Sequence, residues 1–176
     1  MKPLSLKKGL TLFLSFVLLF STLSATGAGF QAGIYHSVKL NQDGQTLNPV
    51  EVNITGSVRL TRLPLVFGSG ICADTKGDLG LSAFADWWVN DNQLVNICNL
   101  YSGFGFSTFL ESNFDDKNTL TLGSRFFIGL NWLFTDNFYE FYLQQNIVPA
   151  FCLSFSDLQK DFKLYFPLEA GLRFHF

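Results

Sequence analysis

The stretch Phe162 to Phe176, which reads FKLYFPLEAGLRFHF, decides the fold of this chain. Successive side chains of a β-strand point to opposite faces, and this stretch divides in that way. Its even-numbered residues are all apolar: Phe162, Leu164, Phe166, Leu168, Ala170, Leu172, Phe174 and Phe176. Its odd-numbered residues carry all the charge: Lys163, Tyr165, Pro167, Glu169, Gly171, Arg173 and His175. The apolar face is too bulky for the interior of a small barrel, so it predicts a strand that faces lipid.

The same period of two recurs in seven earlier segments, which predicts eight strands in total. These segments are Phe30 to Leu40, Val50 to Thr61, Leu63 to Asp74, Leu79 to Asn90, Leu100 to Glu111, Thr119 to Phe134 and Phe138 to Phe155. Most are close to the roughly 9–11 residues that cross a bilayer at a tilt. Turn-forming residues lie between them. The predicted fold is all-β, an eight-stranded antiparallel up-and-down transmembrane β-barrel.

The composition agrees with a protein surrounded by lipid. Charged residues make up 15% of the 176 residues, against about 25% in a typical soluble domain. Aromatic residues make up 16%, and the formal net charge is −2. Phosphate binding needs a clustered basic face, so we expect no nucleic-acid partner.

The first 28 residues have the features of a cleaved signal peptide. Three lysines form a basic start: Lys2, Lys7 and Lys8. An apolar run follows from Leu10 to Phe20, and it is short for a retained membrane anchor. Small residues come next, and cleavage after any of three fits the usual rule: Ala25, Gly27 or Ala28. We therefore expect a signal peptide over residues 1–28 and a barrel over residues 29–176, with no helical span in the barrel.

An aromatic girdle is predicted at one rim of the barrel. If the strands alternate up and down, the rim that holds both chain ends collects the starts of odd strands and the ends of even strands. The lipid-facing residues there are all aromatic: Phe30, Trp87, Trp132, Phe134, Tyr139, Phe141, Phe174 and Phe176. Aromatic residues are typical of the membrane–water interface, and we expect this rim to face the periplasm.

The opposite faces of the strands predict a charged lumen. The charges are nearly balanced: Lys39, Glu51, Arg59, Asp86, Glu111, Arg125, Glu140, Lys163, Glu169 and Arg173. Buried charges must be paired and hydrogen-bonded, which favours a salt-bridge network that fills the barrel. The best candidate pair is Glu140 with Arg173, on neighbouring strands near one rim. The alternative is a gated path for ions or small solutes.

No combination of residues indicates catalysis, a metal or a cofactor, so we expect no enzyme activity. His36 interrupts an apolar face and His175 points to the lumen, without a spacing that would bind metal. The three cysteines, an odd count, are Cys72, Cys98 and Cys152. Cys72 and Cys152 fall on opposite sides of the barrel, beyond the roughly 7 Å Cα limit of a disulfide, so we expect free, buried thiols.

The connections are short where they would face the cell exterior: Asn41–Pro49, Thr75–Asp78, Ser112–Asn118 and Ser156–Lys160. Adhesins and receptors usually need longer loops. The longest connection, Asp91 to Asn99, lies at the rim with the chain ends, and we expect a helical turn in it over Gln93 to Ile97. Pro149 predicts a bulge late in its strand.

The ending Gly171-Leu172-Arg173-Phe174-His175-Phe176 resembles the C-terminal signal of outer-membrane barrels. This implies recognition by the barrel assembly machinery, with Leu172, Phe174 and Phe176 as the signal. Size and strand count are similar to the OmpA transmembrane domain, OmpX and OmpW families. The Leu63-Pro64-Leu65-Val66-Phe67 and Ala85-Asp86-Trp87-Trp88 blocks, with the ending, resemble an uncharacterised family of spirochaete outer-membrane barrels over roughly residues 60–176. The implied location is the bacterial outer membrane.

The function expected from these features is a non-enzymatic structural role in the integrity of the envelope. Outer-membrane lipid and the assembly machinery are the expected partners, and any host or envelope partner is unknown. The first alternative is a narrow channel for ions or small solutes. The second is a soluble, lipocalin-like carrier, which would place its apolar residues inside the barrel.

Overall fold

A computed structural model describes residues 25–41, 44–47, 50–60, 63–75, 77–112, 118–155 and 160–176. The strands are β1 (Ala25–Asn41), β2 (Gly44–Leu47), β3 (Glu51–Leu60), β4 (Leu65–Asp74), β5 (Leu79–Val95), β6 (Cys98–Ser112), β7 (Asn118–Phe134), β8 (Tyr139–Ser154) and β9 (Lys160–His175). Both β2 and β3 pair with β1, so they share one position in the barrel.

The sheet closes into a ring. Each strand is antiparallel to the next, and β9 returns to pair with β1 from Gly27↔His175 to Lys39↔Lys163. Counting β2 and β3 as one position, this confirms the predicted eight-stranded up-and-down barrel. Closure pairs the backbone around the ring. Among the residues described, no helix is long and apolar enough to cross a bilayer.

The strands are staggered as closure requires. A row of paired residues can be followed from Gly29 in β1 through every barrel position, by way of Ser57, Gly68, Phe84, Ser107, Gly123, Ala150 and Lys163. It returns to β1 at Lys39, ten residues beyond its start. A residue's position along its strand therefore does not by itself give its depth in the barrel.

The two faces of the sheet differ in polarity in the predicted sense. Burial alternates almost residue by residue in β3 and β8. Outward side chains are largely exposed and apolar, among them Phe30, Ile54, Phe106, Phe126, Ile128 and Phe151. The buried polar side chains lie inside, which contradicts the soluble-carrier alternative.

Aromatic rings also occupy the interior: Tyr35, Phe84, Trp88, Tyr101, Phe109, Phe127, Tyr142 and Tyr165. Four of them, Phe84, Tyr101, Phe127 and Tyr142, lie against glycines of the neighbouring strand. A Cβ at Gly129 would stand 2.5 Å from Tyr101 Cζ, and one at Gly171 would stand 2.4 Å from Tyr142 Cζ. Only glycine leaves room for a ring so close to the sheet. The alternation of apolar with polar residues does not predict most of these rings. Some of them directly follow an outward aromatic residue, as Trp88 follows Trp87, so two apolar residues stand side by side in the sequence.

Three expectations about the connections need correction. Asp91 to Asn99 is not a loop with a helical turn, because the β5–β6 ladder continues through Gln93↔Asn99 to Val95↔Cys98. Pro149 causes no register shift, because it keeps its place opposite Leu164 in β9. The segment Asn41–Pro49 contains the short strand β2.

Other expectations lie partly or wholly outside the described residues. Residues 1–24 of the predicted signal peptide are outside them, and Ala25–Ala28 belong to β1. Most of the connections at residues 113–117 and 156–159 is outside them as well.

Candidate functional site

The centre of the lumen holds three charged side chains, which we call the mid-barrel cluster: Asp86, Arg125 and Glu169. They come from β5, β7 and β9, and each is at most 2% exposed. Arg125 binds Glu169 through two contacts, Nη2–Oε2 at 2.8 Å and Nη1–Oε1 at 3.2 Å. Its Nε lies 3.0 Å from Asp86 Oδ1. The planar guanidinium thus joins carboxylates from two different strands.

Polar side chains of β6 and β8 extend this cluster. Arg125 Nη2 donates to Asn146 Oδ1 at 3.2 Å, and Gln144 Nε2 donates to the same oxygen at 2.7 Å. Tyr101 donates its hydroxyl to Gln144 Oε1 at 3.0 Å. These bonds connect the cation to two further strands.

A second branch reaches the opposite wall. Tyr35 donates its hydroxyl to Glu169. Asn53 Nδ2 donates to the Tyr35 hydroxyl at 3.1 Å, and Ser82 Oγ donates to Asn53 Oδ1 at 2.9 Å. The network therefore crosses the full width of the barrel at this level. A continuous network of this kind strengthens its bonds cooperatively and depends on every member being satisfied.

The end of the barrel where β1 begins and β9 ends, here called the terminal end, has its own cluster around Glu140. Arg173 Nη1 lies 2.7 Å from Glu140 Oε2, so the predicted pair is present. His175 Nε2 contacts the same oxygen at 2.8 Å, and Asn131 Nδ2 donates to Glu140 Oε1 at 2.8 Å. The guanidinium of Arg173 also lies 4.8 Å from the ring centroid of Tyr142. Glu140 is thus surrounded by donors.

Arg59 and Lys39 do not join these clusters, although the sequence places both in the lumen. The guanidinium of Arg59 lies 4.4 Å from the Trp88 ring centroid and 3.8 Å from Asp91 Oδ2. Lys39 pairs with Asp161 at 2.7 Å in a partly exposed position. Arg59 therefore connects the barrel wall to the extended β5 strand, and Lys39 connects β1 to β9.

The opposite end, here called the loop end, is less completely paired. Glu51, which is buried, and Glu111 lie here with Lys163, whose ammonium group is 5.7 Å from the Tyr165 ring centroid. Within the described part of the chain no ion pair of 4.0 Å or less joins these three residues. Glu111 Oε1 is buried and has no hydrogen-bond partner there.

The three cysteines are free, as expected. Cys72 and Cys152 are buried at the loop end, where Thr121 Oγ1 donates to Cys152 Sγ at 3.3 Å. Cys98, for which the strand pattern makes no prediction of burial, is half-buried. It pairs with Trp132, at the position where β6 begins beyond the rim. In the described ranges, no three His, Cys, Asp or Glu side chains are arranged to hold a metal ion.

The predicted girdle residues are all half-buried or exposed: Phe30, Trp87, Trp132, Phe134, Tyr139, Phe141, Phe174 and Phe176. Trp132 and Phe141 lie 5.6 Å apart, and Tyr139 and Phe174 lie 5.5 Å apart, measured between ring centroids. Phe138, which the strand pattern does not single out, contacts both Tyr139 and Phe174. The predicted assembly signal, Leu172, Phe174 and Phe176, ends β9 beside this group.

A closed ring of eight antiparallel strand positions, apolar outside and charged inside, is the architecture of the small outer-membrane β-barrels. The neisserial surface protein A has this fold, with a TM-score of 0.55 and 15% identity, over 85% of this chain and 97% of that protein. Ail, the attachment invasion locus protein of Yersinia pestis, gives a TM-score of 0.40 at 13% identity, over 85% and 99%. A de novo designed transmembrane β-barrel gives 0.39 at 13% identity, over 83% and 95%.

At these identities the likeness extends to the fold alone. No protein-family model matches the sequence, and no curated protein matches it.

Proposed function

We propose that this protein is an integral barrel of the bacterial outer membrane, that it is not an enzyme, and that it has a structural role in the integrity of the envelope. The observation that supports this best is the mid-barrel cluster. Arg125, Asp86 and Glu169 are almost wholly buried; Arg125 is hydrogen-bonded to Glu169, and its Nε lies 3.0 Å from Asp86 Oδ1 as an ion pair without hydrogen-bond geometry. Removing one partner of a buried ion pair is strongly destabilising, so such a cluster holds the interior in one closed arrangement.

The location is supported by the outer surface. Apolar side chains cover the outward faces of the strands, and pairs of outward aromatic rings, such as Trp132 with Phe141 and Tyr139 with Phe174, lie near the terminal end. In hydrocarbon every backbone polar group must be paired internally, and a closed barrel achieves this. The alternating apolar residues that end β9 support the barrel assembly machinery as a partner. Kinship with uncharacterised spirochaete barrels stays a prediction from the sequence blocks quoted above.

Two measurements test the location. Detergent-phase partitioning of cell extracts should place the protein in the detergent phase. Protease added to intact cells should leave the β5–β6 hairpin uncut, whereas permeabilised cells should lose it, because the terminal end faces the periplasm. Recovery in the aqueous phase, or cleavage near Gln93 in intact cells, contradicts the proposal.

The closed lumen is tested by conductance in planar lipid bilayers. The native protein should show no reproducible open state, because the mid-barrel cluster crosses the lumen. A strain that lacks the protein should become more permeable to detergents and dyes, and expression of the native barrel should restore the barrier. Unchanged permeability in the deletion strain contradicts the structural role.

A narrow channel is the second candidate, and the polarity of the lumen favours it. Charged residues follow one another along the interior from Glu51 at the loop end, through Arg125, to Arg173 at the terminal end. If the mid-barrel cluster opens, a lumen lined with these charges can conduct ions. A reproducible, ion-selective open state of the native protein would establish this candidate in place of the first.

A further inference from the structure

The mid-barrel cluster contains more carboxyl groups than cations. Among the residues that the structure describes, Arg125 is the cation that contacts its two carboxyl groups, those of Asp86 and Glu169. With both carboxyl groups ionised, one positive and two negative charges would leave the cluster at −1. Each of its members is at most 2% exposed, so water cannot solvate the excess charge. A group in such a place becomes neutral by binding a proton, because an unbalanced buried charge is too unfavourable.

The nearest other cations have acidic partners of their own. At the terminal end Arg173 lies 2.7 Å from Glu140, and Arg59 lies 3.8 Å from Asp91. Within the described ranges these pairs balance one another and leave no spare positive charge for the mid-barrel cluster. The excess negative charge must therefore be removed inside the cluster itself.

Asp86 lies in tightly packed, largely uncharged surroundings. In the sheet it is paired with Val66 of β4 and Gly105 of β6, and Arg125 of β7 continues the same row beyond Gly105. A Cβ at Gly105 would stand 2.4 Å from Asp86 Oδ1, so the carboxyl group lies flat over this glycine. The glycine thus lets Asp86 reach Arg125 across β6, and it leaves no space for water between the carboxyl group and the wall.

The two carboxyl groups of the cluster differ in their hydrogen bonds. Glu169 accepts two from Arg125, at 2.8 and 3.2 Å, and one from the Tyr35 hydroxyl. Three donors stabilise its ionised form. Asp86 Oδ1 lies 3.0 Å from Arg125 Nε without hydrogen-bond geometry, and this buried oxygen has no hydrogen-bond partner in the described part of the chain. Glu169 is therefore the better anion, and Asp86 is the better place for a proton.

We propose that the mid-barrel cluster is a proton-binding site, in which the two carboxyl groups hold one proton between them and Asp86 carries it. The closed interior then combines the Arg125 cation, the Glu169 anion and a neutral Asp86. The titratable groups that face Asp86 are Arg125 of β7 and Glu169 of β9. Its neighbours from β4, β6 and β8 do not ionise: Val66, Gly105 and Gln144.

This site makes the barrel sensitive to pH. Loss of the proton would restore the excess negative charge in the middle of the lumen, so the closed arrangement is more stable in acidic than in alkaline surroundings. The proposal depends neither on a role in envelope integrity nor on whether the lumen conducts, because it concerns the charge of the folded barrel alone.

The first test is infrared spectroscopy of the full-length barrel in lipid vesicles at about pH 7. A protonated carboxyl group has a carbonyl band that a carboxylate lacks, and the native protein should show one that D86N loses. Labelling aspartate carboxyl carbons with carbon-13 should shift this band in the native protein, which gives a readout that needs no variant. Asp86 is the buried aspartate among the described residues.

Matched variants separate charge balance from burial. In E169Q the charges of Arg125 and Asp86 balance, so the proton should leave Asp86 and the acid band should disappear although Asp86 is still present. The control, E140Q, removes a carboxylate that has Arg173 as its own cation. It should keep the band. Circular dichroism verifies that each variant is folded.

The second test compares the unfolding of native protein and D86N by urea between about pH 5 and pH 7. An unfolded aspartate loses its proton above about pH 4, whereas the folded barrel keeps it on Asp86. The folded state then binds one proton more than the unfolded state, and a rise in pH favours unfolding. The folding equilibrium constant of the native protein, relative to D86N, should therefore fall by up to about tenfold for each pH unit. The pH dependence of E169Q should follow that of D86N.

Three results would overturn the proposal. The first is a native spectrum at about pH 7 in which the labelled aspartates show carboxylate bands only. The second is an acid band that persists in E169Q, because burial and not the charge balance of the cluster would then hold the proton. The third is a parallel change of the native and D86N folding constants with pH, since the folded barrel would then bind no extra proton at Asp86.

Discussion

The two ends of the lumen contain similar residues in different states of pairing. At the terminal end Glu140 contacts Arg173, His175 and Asn131, each within 2.8 Å. At the loop end no ion pair of 4.0 Å or less joins Glu111 to a residue that the structure describes, and one buried oxygen of Glu111 has no hydrogen-bond partner there. Single buried atoms of Asn131 and Arg173 at the terminal end also lack a hydrogen-bond partner, so the difference between the ends is in their ion pairs. Both are glutamates that point into one barrel, so the difference comes from what the neighbouring strands place opposite them.

This difference indicates which part of the interior fixes the fold. Removing the partner of a buried charge lowers the free energy of unfolding strongly, whereas a charge near an open mouth of the barrel can be solvated by water. The mid-barrel and terminal clusters should therefore account for most of the stability that the lumen contributes. The loop end should tolerate substitution. Three charge substitutions test this division, and a fourth substitution tests the packing of an interior ring.

The largest effect is expected for Arg125→Ala. This substitution leaves Asp86 and Glu169 buried without their cation, which should lower the free energy of unfolding by about 3–5 kcal/mol. Urea unfolding in phospholipid vesicles measures it. The control at the loop end is Lys163→Ala, which should cost less than about 1 kcal/mol. Equal losses from the two substitutions would remove the distinction between the ends.

The next effect is expected for Glu140→Gln. The amide keeps the shape of the side chain but removes the charge that Arg173 contacts at 2.7 Å. Hydrogen bonds to charged groups contribute about 1.5–3 kcal/mol, and we expect a loss in that range. A double-mutant cycle with Arg173→Met should show coupling of at least about 0.5 kcal/mol. Strict additivity of the two substitutions would mean that the contact contributes nothing to stability.

The sequence predicts the barrel well because one physical rule governs every strand. A wall between lipid and a polar lumen must alternate, and the stretch from Phe162 to Phe176 shows this without interruption. The rule also predicts the Glu140–Arg173 pair, because the two residues lie near one rim on neighbouring strands. It does not predict where β5 stops, because residues 89–97 lie in water and no longer alternate.

The candidate site is less predictable, because contacts across the lumen depend on the stagger of the strands. Arg125, on β7, contacts Asp86 from β5 and Glu169 from β9. Neither of these strands is adjacent to β7 in the sheet. The role of Tyr35 in that cluster and of His175 beside Glu140 could not be derived from alternation. A sequence feature that could indicate such an interior ring is an inward-facing glycine on the neighbouring strand, as Gly129 lies beside Tyr101.

The third largest loss in the free energy of unfolding is expected for Gly129→Ala. Gly129→Ala adds a Cβ that would stand 2.5 Å from Tyr101 Cζ. The ring is held by its bond to Gln144 and by stacking on Trp88 at 4.1 Å, so it cannot move freely. Overpacking of this kind costs about 1–3 kcal/mol, and we expect the lower part of that range in urea unfolding.

The control for this substitution is Gly56→Ala. The nearest atoms to its added Cβ are 4.0 Å away, and the residue is exposed on the outer face. It should change stability by no more than about 0.5 kcal/mol. If Gly56→Ala costs as much as Gly129→Ala, the loss reflects the backbone and not the contact with the ring.

The smallest effect is expected for Glu111→Gln, which is chemically identical to Glu140→Gln but lies at the loop end. Glu111 shares its end of the lumen with Glu51, and one of its oxygens lacks a partner within the described residues. Removing its charge breaks no ion pair of 4.0 Å or less among the described residues, and the lost attraction to Lys163 offsets the relieved repulsion from Glu51, so stability should change by less than about 1 kcal/mol. The two isosteric substitutions, measured side by side by urea unfolding, separate charge from shape. If Glu111→Gln destabilises the barrel as much as Glu140→Gln does, the two ends are equally dependent on their carboxylates, and the loop end contains a stabilising contact that pairing distances alone do not reveal.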